Sequence, residues 1–369
     1  YIKATQDRVT LEIQRGCIRG CRFCQAGAIY RPTREKNVEL MKQYALEMIK
    51  NTGHEEITLS SLSSSDYEGL PELTEFLIEE MGKLKVNIAL PSLRIDSFSL
   101  DVMKRVQDIK KSSLTFAAEA GSQRLRNVIN KGLTEDMIRE GAMKAFQGGW
   151  NKVKFYFMVG LPTETEEDLK AIPELCEQLA VDYYTIPKEE RIGKVSITAS
   201  SSFFVPKPFT PFQWASMNTE EEFLEKAHYV KDHFFRQKNR KSLSYRYHDA
   251  DLTIMEGIFA RGDRKLAPAI LQAYQNGCMF DAWHEMFHQE IWDQAFEDHK
   301  IDIDFYTHRE RPVDEILPWD FIDIGVSKQF FIREWERAKK AEVTPNCKQK
   351  CSGCGAAGFG GGVCFENKN

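Results

Sequence analysis

The sequence lacks any apolar run of roughly 18 residues, the length that a membrane-spanning helix needs, and it does not open with a secretory signal. We therefore expect a cytoplasmic protein with no membrane partner. The sequence also lacks an excess of basic charge, because 50 Lys and Arg residues face 55 Asp and Glu residues among its 369. This balance excludes a globally basic nucleic-acid-binding protein but allows a local basic face. The first residue is Tyr1 and not Met, so we expect a further segment before it.

Most of the nine cysteines stand in two clusters, one near each end of the chain. The clustered residues have metal-ligand spacing and are Cys17, Cys21, Cys24, Cys347, Cys351, Cys354 and Cys364. Clustering of this kind without a secretory signal favours metal binding in a reducing compartment over disulfides. Cys176 and Cys278 stand alone, and we expect them to be buried as small apolar residues.

The first cluster has the spacing CxxxCxxC and follows an alternating strand pattern at 9–13. Three thiolates on one loop can bind three irons of a [4Fe–4S] cube, which leaves the fourth iron open to a substrate or cofactor. The alternatives are a structural zinc site or ordinary buried thiols. Zinc sites usually show two paired clusters, and no second pair lies near in the sequence. The spacing therefore favours an iron–sulfur cluster.

Strand patterns alternate with helix patterns through the first half of the chain. The strands are predicted at 9–13, 56–60, 86–90, 113–118, 152–159 and 194–205. This alternation predicts a parallel sheet with crossover helices, and either an open doubly wound sheet or a barrel satisfies it. From Thr219 the pattern is mostly helical, with one more strand at 242–247. Polar motifs follow several strands, which is where parallel barrels carry their reactive groups.

Three of these motifs follow the first Cys loop in order along the chain. In that loop Phe23 precedes the last Cys. The three motifs are Ser63-Ser64-Ser65-Asp66, Glu119-Ala120-Gly121-Ser122 and Gly160-Leu161-Pro162-Thr163-Glu164-Thr165. Together they resemble the motifs of the radical S-adenosylmethionine (SAM) enzymes. The resemblance implies an α/β fold with a partial (β/α)6 TIM-type barrel at 1–214. A mostly helical region at 215–342 and a Cys-rich tail at 343–369 would follow.

The resemblance also implies a cofactor and a set of contacts. A [4Fe–4S] cluster on Cys17, Cys21 and Cys24 would bind SAM, and a flavodoxin- or ferredoxin-type reductant would drive its cleavage to a 5′-deoxyadenosyl radical. The SAM-binding residues implied are Phe23, Ser63, Ser64, Ser65, Arg94, Glu119, Ser122, Arg126, Gly160 and Pro162. In this scheme the serine loop binds the amino group of SAM, and Glu119 accepts hydrogen bonds from the SAM ribose hydroxyls. Arg124 or Arg126 reaches the SAM carboxylate, and Arg94 pairs with a carboxylate of SAM or of the substrate. The Gly160–Pro162 backbone lies beneath the adenine. Helix capping explains Ser122 equally well, and Arg94 could instead pair with Asp96.

The second cluster repeats the CxxxCxxC spacing at Cys347, Cys351 and Cys354, with Cys364 after a Gly-rich turn. Four cysteines make a closed site without an open iron. An auxiliary [4Fe–4S] cluster, a zinc ion and a disordered tail all remain open as interpretations.

Two segments, 91–96 and 204–214, resemble the methylthiotransferases and an uncharacterised radical SAM family with a cobalamin-binding-type N-terminal domain. The Asp-x-His-x-x-Gly motif of cobalamin domains is absent from this sequence. Methylation or methylthiolation of RNA is one expectation, supported by the basic stretch at 236–241; a peptide or small-molecule substrate fits nearly as well. A non-catalytic iron–sulfur or zinc module that docks to RNA or the ribosome is the alternative.

The segment His284-Glu285-Met286-Phe287-His288 matches the zinc-protease pattern HExxH. Its aromatic neighbours favour a packing face instead, because five-residue matches arise by chance.

Overall fold

The computed structural model describes residues 7–89, 95 and 114–360 of the chain. Its strands are β1 (Val9–Glu12), β2 (Gln14–Arg15), β3 (Arg34–Glu35), β4 (Glu56–Ser60), β5 (Asn87–Ala89), β6 (Leu114–Glu119), β7 (Lys152–Val159), β8 (Ser196–Phe203) and β9 (Leu243–Tyr247). β1, β4 and β5 form one parallel sheet, and β6 to β9 form a second in chain order. The α/β class with parallel strands, expected from a partial TIM-type barrel, is confirmed.

Helices connect the strands and then dominate the last third of the chain. In order they are α1 (Ala26–Ile29), α2 (Val38–Thr52), α3 (Leu70–Leu84), α4 (Gln123–Val128), α5 (Glu135–Gln147), α6 (Glu166–Thr185), α7 (Glu220–Arg236), α8 (Ala250–Arg261), α9 (Leu266–Gln275), α10 (Gln289–Asp298), α11 (Ile303–Tyr306) and α12 (Lys328–Lys339). No helix among the described residues is long and apolar enough to cross a membrane. The helix expected at 100–109 lies outside the described residues.

Local sequence signals explain where several helices begin. Thr219 and Glu222 form the reciprocal capping box expected from the acidic start of α7, with the Glu222 N–H donating to Thr219 Oγ1 at 3.2 Å. The same arrangement of Thr165 and Asp168 begins α6. Asn37 caps α2 by accepting from the Leu40 N–H at 3.1 Å.

The second sheet ends in β9, a strand beyond the six predicted for the barrel. β9 pairs in parallel with β8, with Ala199 opposite Tyr245. Within each sheet the strands run parallel, so their carboxyl ends meet at one edge. The two edges are joined where the Arg22 N–H, in the loop after β1, donates to the Ile129 carbonyl, after β6, at 3.0 Å. The loops that carry the predicted motifs follow β1, β4, β6 and β7, so the fold gathers them at these joined edges, which we call the motif edge.

Four groups of buried side chains form the interior. One packs β1, β4 and β5 against α2 and α3, another packs β6 to β9 against α5 to α7, and a third lies among the C-terminal helices. The fourth lies at the motif edge and joins Ala28 and Ala120 to Phe330, Trp335 and Cys354. The C-terminal helix and the cysteine segment after it therefore pack directly on the loops of the candidate site.

The HExxH segment does not form a pair of histidines on one helix. His284 lies in a single 3-10 turn, His284–Met286, whereas His288 is the cap residue before α10. Both histidines are exposed. The aromatic packing expected here is partial, because Trp292 is buried and Trp283 is 63% exposed. The geometry that a zinc protease needs from this motif is absent at these described residues.

Candidate functional site

The first Cys loop is bracketed by the short antiparallel pair β2 and β3, in which Gln14 faces Glu35. Gly16 begins the loop at φ 88°, where a Cβ would lie 2.5 Å from the Tyr30 carbonyl oxygen, so only glycine fits. The Cys24 N–H then donates to the Cys21 carbonyl at 3.2 Å, and α1 starts two residues later. This ribbon holds the three cysteines in one tight turn.

Cys17 and Cys24 both lie near Cys21, and each of the two receives a backbone donor. Burial first, and the Cys21 thiol second, raise the pKa of Cys17 to about 12 and also raise the pKa of Cys24. The Arg19 N–H contacts Cys17 Sγ at 3.4 Å, and the Gly27 N–H contacts Cys24 Sγ at 3.3 Å. Neighbouring buried sulfurs with N–H groups aimed at them fit an iron–sulfur cluster as donor set, since such bonds tune cluster thiolates.

Two residues that the sequence interpretation missed hold this loop in place. Arg22 is fully buried, and its guanidinium donates to Glu334 and to the carbonyls of Asn127 (3.1 Å) and Val128 (2.9 Å). Asn130 Nδ2 donates to the Gly20 carbonyl at 3.0 Å. No local pattern marks either residue, because their partners lie far away in the sequence.

The serine loop after β4 packs against the Cys loop. Ser63 and Ser64 are buried, and Gln14 Nε2 donates to the Ser63 carbonyl at 2.6 Å. Asp66 accepts from the Ser63 hydroxyl at 2.7 Å and from Arg19 Nε at 2.8 Å, which ties the loop to the residue between Cys17 and Cys21. The structure thus brings Ser63, Ser64 and Ser65 beside the Cys loop.

Glu119 ends β6 at a bulge, with φ 68°, an unusual conformation for a residue other than glycine. Its carboxylate accepts from Lys131 Nζ at 3.0 Å, and both side chains are mostly buried. The two groups act electrostatically on Cys24, which places them beside the Cys loop. Lys131 was not predicted; no local motif precedes it.

Ser122 and Arg126 follow on α4 and are engaged in protein contacts. Ser122 Oγ caps the helix by accepting from the Leu125 N–H at 3.0 Å, and it also contacts Asp168. The buried Arg126 guanidinium donates to the carbonyls of Ala120 (3.1 Å) and Gly121 (2.8 Å). Arg126 therefore points into the protein below the Glu119 loop. Arg94 lies outside the described residues.

The loop after β7 is shaped by two residues with left-handed backbone. Gly160 has φ 87°, and a Cβ there would lie 2.5 Å from Phe223. Thr163 has φ 64° although it is β-branched, the position at which the resembling motif carries glycine. The buried Glu164 carboxylate accepts from the Gly160 N–H at 2.9 Å and pairs with Lys226 at 3.1 Å, which fixes the turn around the half-buried Pro162.

The C-terminal cysteines lie next to the first Cys loop. The Cys347 N–H donates to the Ile18 carbonyl at 3.1 Å, and one narrow cleft is lined by Cys21, Cys24 and Cys347 together. Cys354 is buried and Cys351 is exposed, while Cys364 lies outside the described residues. Within residues 7–89, 95 and 114–360, no group of three or more His, Cys, Asp or Glu side chains is arranged to hold a metal ion.

Comparison with known proteins defines the family. Residues 11–176 match the family model described as the radical SAM superfamily, a range that runs from β1 into α6 and includes all four motifs at the motif edge. Residues 11–176 of the chain therefore belong to the radical SAM superfamily.

Several relatives share this region. The chain is 35% identical to the uncharacterized protein MJ0966 of Methanocaldococcus jannaschii over 70% of its own length and 52% of that protein. It is 27% identical to the putative methylthiotransferase MJ0865 of the same organism, over 43% of this chain and 37% of the relative. It is 24% identical to the threonylcarbamoyladenosine tRNA methylthiotransferase MtaB of Aquifex aeolicus, over 48% and 45%. The chain thus spans about half, or less, of each relative.

Among solved structures, coproporphyrinogen III oxidase (HemN) from Escherichia coli aligns at 14% identity and a TM-score of 0.42, over 62% of this chain and 52% of that one.

Proposed function

We propose that this chain is the catalytic core of an enzyme that binds a [4Fe–4S] cluster on Cys17, Cys21 and Cys24 and cleaves SAM reductively to functionalise a C–H bond. The observation that carries the proposal is that the Cys loop meets Glu119 at one edge of the parallel strands, where Glu119 and Cys21 both act electrostatically on Cys24. When bound, the reduced cluster supplies one electron to the SAM sulfonium, and a carbon–sulfur bond breaks.

The residues at the motif edge have distinct tasks in this proposal. The three thiolates hold the cluster, and the N–H groups of Arg19 and Gly27 stabilise their negative charge. Glu119 accepts from the ribose hydroxyls, and the bond from Lys131 orients its carboxylate.

Other groups position SAM and exclude water. The serine loop, tied to the Cys loop through Asp66 and Arg19, takes the amino group. The backbone from Gly160 to Pro162 would contact the adenine of bound SAM. The fully buried side chains of Phe212 and Trp214 close the interior behind the loops.

The C-terminal cysteines supply the second metal site in this proposal. Cys347 and Cys354 are held against the first Cys loop, and Cys351 with Cys364 would complete four ligands. An auxiliary [4Fe–4S] cluster is the form we favour over zinc, because a second redox centre beside a radical site has a use in electron relay or substrate anchoring.

Methylthiolation or methylation of RNA is the reaction we propose, on the strength of the methylthiotransferase names among the relatives. The basic stretch at 236–241 does not contribute to this proposal. It follows α7 and precedes β9, which puts it at the amino-terminal edge of the strands. That edge is roughly 26 Å from the motif edge, at about 3.3 Å per residue along a strand such as β8.

The test is anaerobic reconstitution with iron and sulfide, reduction by dithionite, and detection of 5′-deoxyadenosine from SAM by mass spectrometry. We expect product from the unmodified chain and none from Cys24→Ala. Cys278→Ala is the matched control, because Cys278 lies in the helical C-terminal core away from the motif edge. A reconstituted protein that holds its cluster yet yields no 5′-deoxyadenosine would refute the enzyme proposal and favour a non-catalytic metal module.

A further inference from the structure

The buried guanidinium of Arg31 is left unexplained by the proposed function. Arg31 follows α1, at the end of the Cys loop, and is only 8% exposed. Its Nε donates to the Gly27 carbonyl at 2.9 Å, and its Nη2 reaches the Arg19 carbonyl at 3.5 Å. Its Nη1 has no hydrogen-bond partner among residues 7–89, 95 and 114–360. A buried cationic donor without an acceptor is costly, so this nitrogen points to a missing ligand.

The groups around Arg31 are cysteines of both clusters. Arg31 lines the same narrow cleft as Cys21, Cys24 and Cys347. The sulfurs of Cys347 and Cys354, and also that of Cys17, lie close enough to act electrostatically on the Arg31 guanidinium. The Glu334 carboxylate lines the same cleft, but it already accepts hydrogen bonds from Arg22 and from the Thr344 hydroxyl. The natural counter-ions of Arg31 are therefore thiolates.

The orientation of the guanidinium is fixed by its surroundings. Its central carbon lies 5.3 Å from the centroid of the Phe330 ring, on the C-terminal helix, and its Nε is held by Gly27. A planar guanidinium carries five N–H donors that point in several directions, so one side chain can donate to sulfurs on two sides. A lysine in this position would keep the positive charge but would lack the planar set of N–H donors that the guanidinium provides.

We propose that Arg31 donates hydrogen bonds to cysteine sulfurs of both clusters and is the shared counter-ion of two adjacent metal sites. It thereby raises the reduction potential of the cluster on Cys17, Cys21 and Cys24. A fixed positive charge favours the reduced form of a cluster, which is the more negative one, and hydrogen bonds to the sulfurs act in the same direction. This inference rests on the proposed function, since it needs a cluster at the first site; it holds for iron or zinc at the second.

The test compares Arg31→Met, Arg31→Lys and Arg34→Met with the unmodified chain. Arg34 is the matched control because it stands three residues on and is exposed. Each protein is reconstituted anaerobically without SAM, its iron is counted, and the midpoint potential of the first cluster is measured by a titration followed by electron paramagnetic resonance. A parallel series in a Cys351→Ser background assigns the signals of the two sites.

We expect Arg31→Met to lower the midpoint potential by at least about 59 mV, a tenfold change in the ratio of reduced to oxidised cluster for one electron. Arg31→Lys should retain most of the potential, and Arg34→Met should match the unmodified chain. An unchanged potential in Arg31→Met, or equal loss of iron in Arg31→Met and Arg31→Lys, would overturn the proposal in favour of a packing role. An unmodified chain without a cluster at the first site would refute the proposed function itself, before any variant is compared.

Discussion

Replacing Glu334 with Ala should destabilise the protein strongly, because it leaves a buried guanidinium without its counter-ion. Glu334 is 2% exposed and Arg22 is 0% exposed. Arg22 Nε and Nη2 each lie 3.1 Å from Glu334 Oε2. This pair joins the Cys loop to the C-terminal helix α12, across 312 residues of sequence.

The magnitude follows from the contacts that are lost and those that remain. A hydrogen bond to a charged group contributes about 1.5–3 kcal/mol, and breaking a buried ion pair by removing one partner costs about 3–5 kcal/mol. Arg22 keeps its bonds to three carbonyls, including that of Glu342 at 2.7 Å. Burial already lowers the pKa of Arg22 in spite of Glu334, so the remaining charge is poorly solvated. We therefore expect a loss near the lower end, about 3 kcal/mol.

The assay is urea denaturation of the metal-free protein, with Glu336→Ala as matched control. Glu336 lies on the same helix and pairs with Lys339 at 3.1 Å, but this pair is exposed and should contribute less than about 1 kcal/mol. The double variant Arg22→Met/Glu334→Leu should recover more than half of the loss, because apolar groups replace both charges. Equal losses in Glu334→Ala and Glu336→Ala, or a double variant as unstable as the sum of the single ones, would refute the reasoning.

Three further changes test the loops of the motif edge. Gly160→Ala should cost about 2–4 kcal/mol in thermal melts, since its Cβ would lie 2.5 Å from Phe223 at φ 87°. Thr163→Gly should gain up to about 1 kcal/mol, because relief of a left-handed residue (about 1–2 kcal/mol) exceeds the chain entropy of glycine (about 0.5–1 kcal/mol). Asp168→Asn should make the free energy of unfolding depend less on pH in the acid range. Burial would raise the pKa of Asp168, but hydrogen bonds from Arg124 and other groups lower this pKa below the ordinary 3.8. The ionised carboxylate therefore stabilises the fold above pH 3.8, and this stabilisation is lost as the pH falls through the folded-state pKa.

Each of these changes has its own control. Gly53 also has positive φ, 69°, but nothing lies within 4 Å of a Cβ there, so Gly53→Ala isolates the backbone cost from the clash at Gly160. Thr163→Asn should be tolerated better than Thr163→Val, because Asn adopts left-handed backbone more readily. An unchanged dependence of the unfolding free energy on acid pH in Asp168→Asn would contradict the role given to that carboxylate. The control Glu166→Gln, on the exposed first turn of α6, should leave this pH dependence unchanged.

Patterns of short range were sufficient for the elements of the fold. Strand patterns predicted β1, β4 and β7 close to their observed bounds, and the helical pattern from Thr219 predicted the start of α7. These predictions succeed because strand and helix periodicity and helix caps depend on residues a few positions apart. The family also followed from the order and spacing of the four motifs, which residues 11–176 confirm.

Local sequence patterns did not predict the end of α7, the partner of β9 or the geometry of the HExxH segment. The helical pattern from Thr219 did not show where α7 ends. The helix stops at Arg236, and a 3-10 turn at Arg240–Ser242 leads into β9. The pairing of β9 with β8 was not predicted, because a strand pattern does not identify its partner. The HExxH match likewise gave no information on whether the two histidines share a helix.

The sequence by itself determined which residues could bind metal, through the two sets of clustered cysteines, and which loops would meet at the motif edge. Only the tertiary structure decided that the second set lies against the first, and that Arg22, Lys131 and Arg31 surround the Cys loop. The physical reason is distance along the chain: the contacts of Arg22 with Glu334 and of Ile18 with Cys347 form only when the C-terminal helix packs on the sheet edge. No local spacing in the sequence encodes contacts of that range.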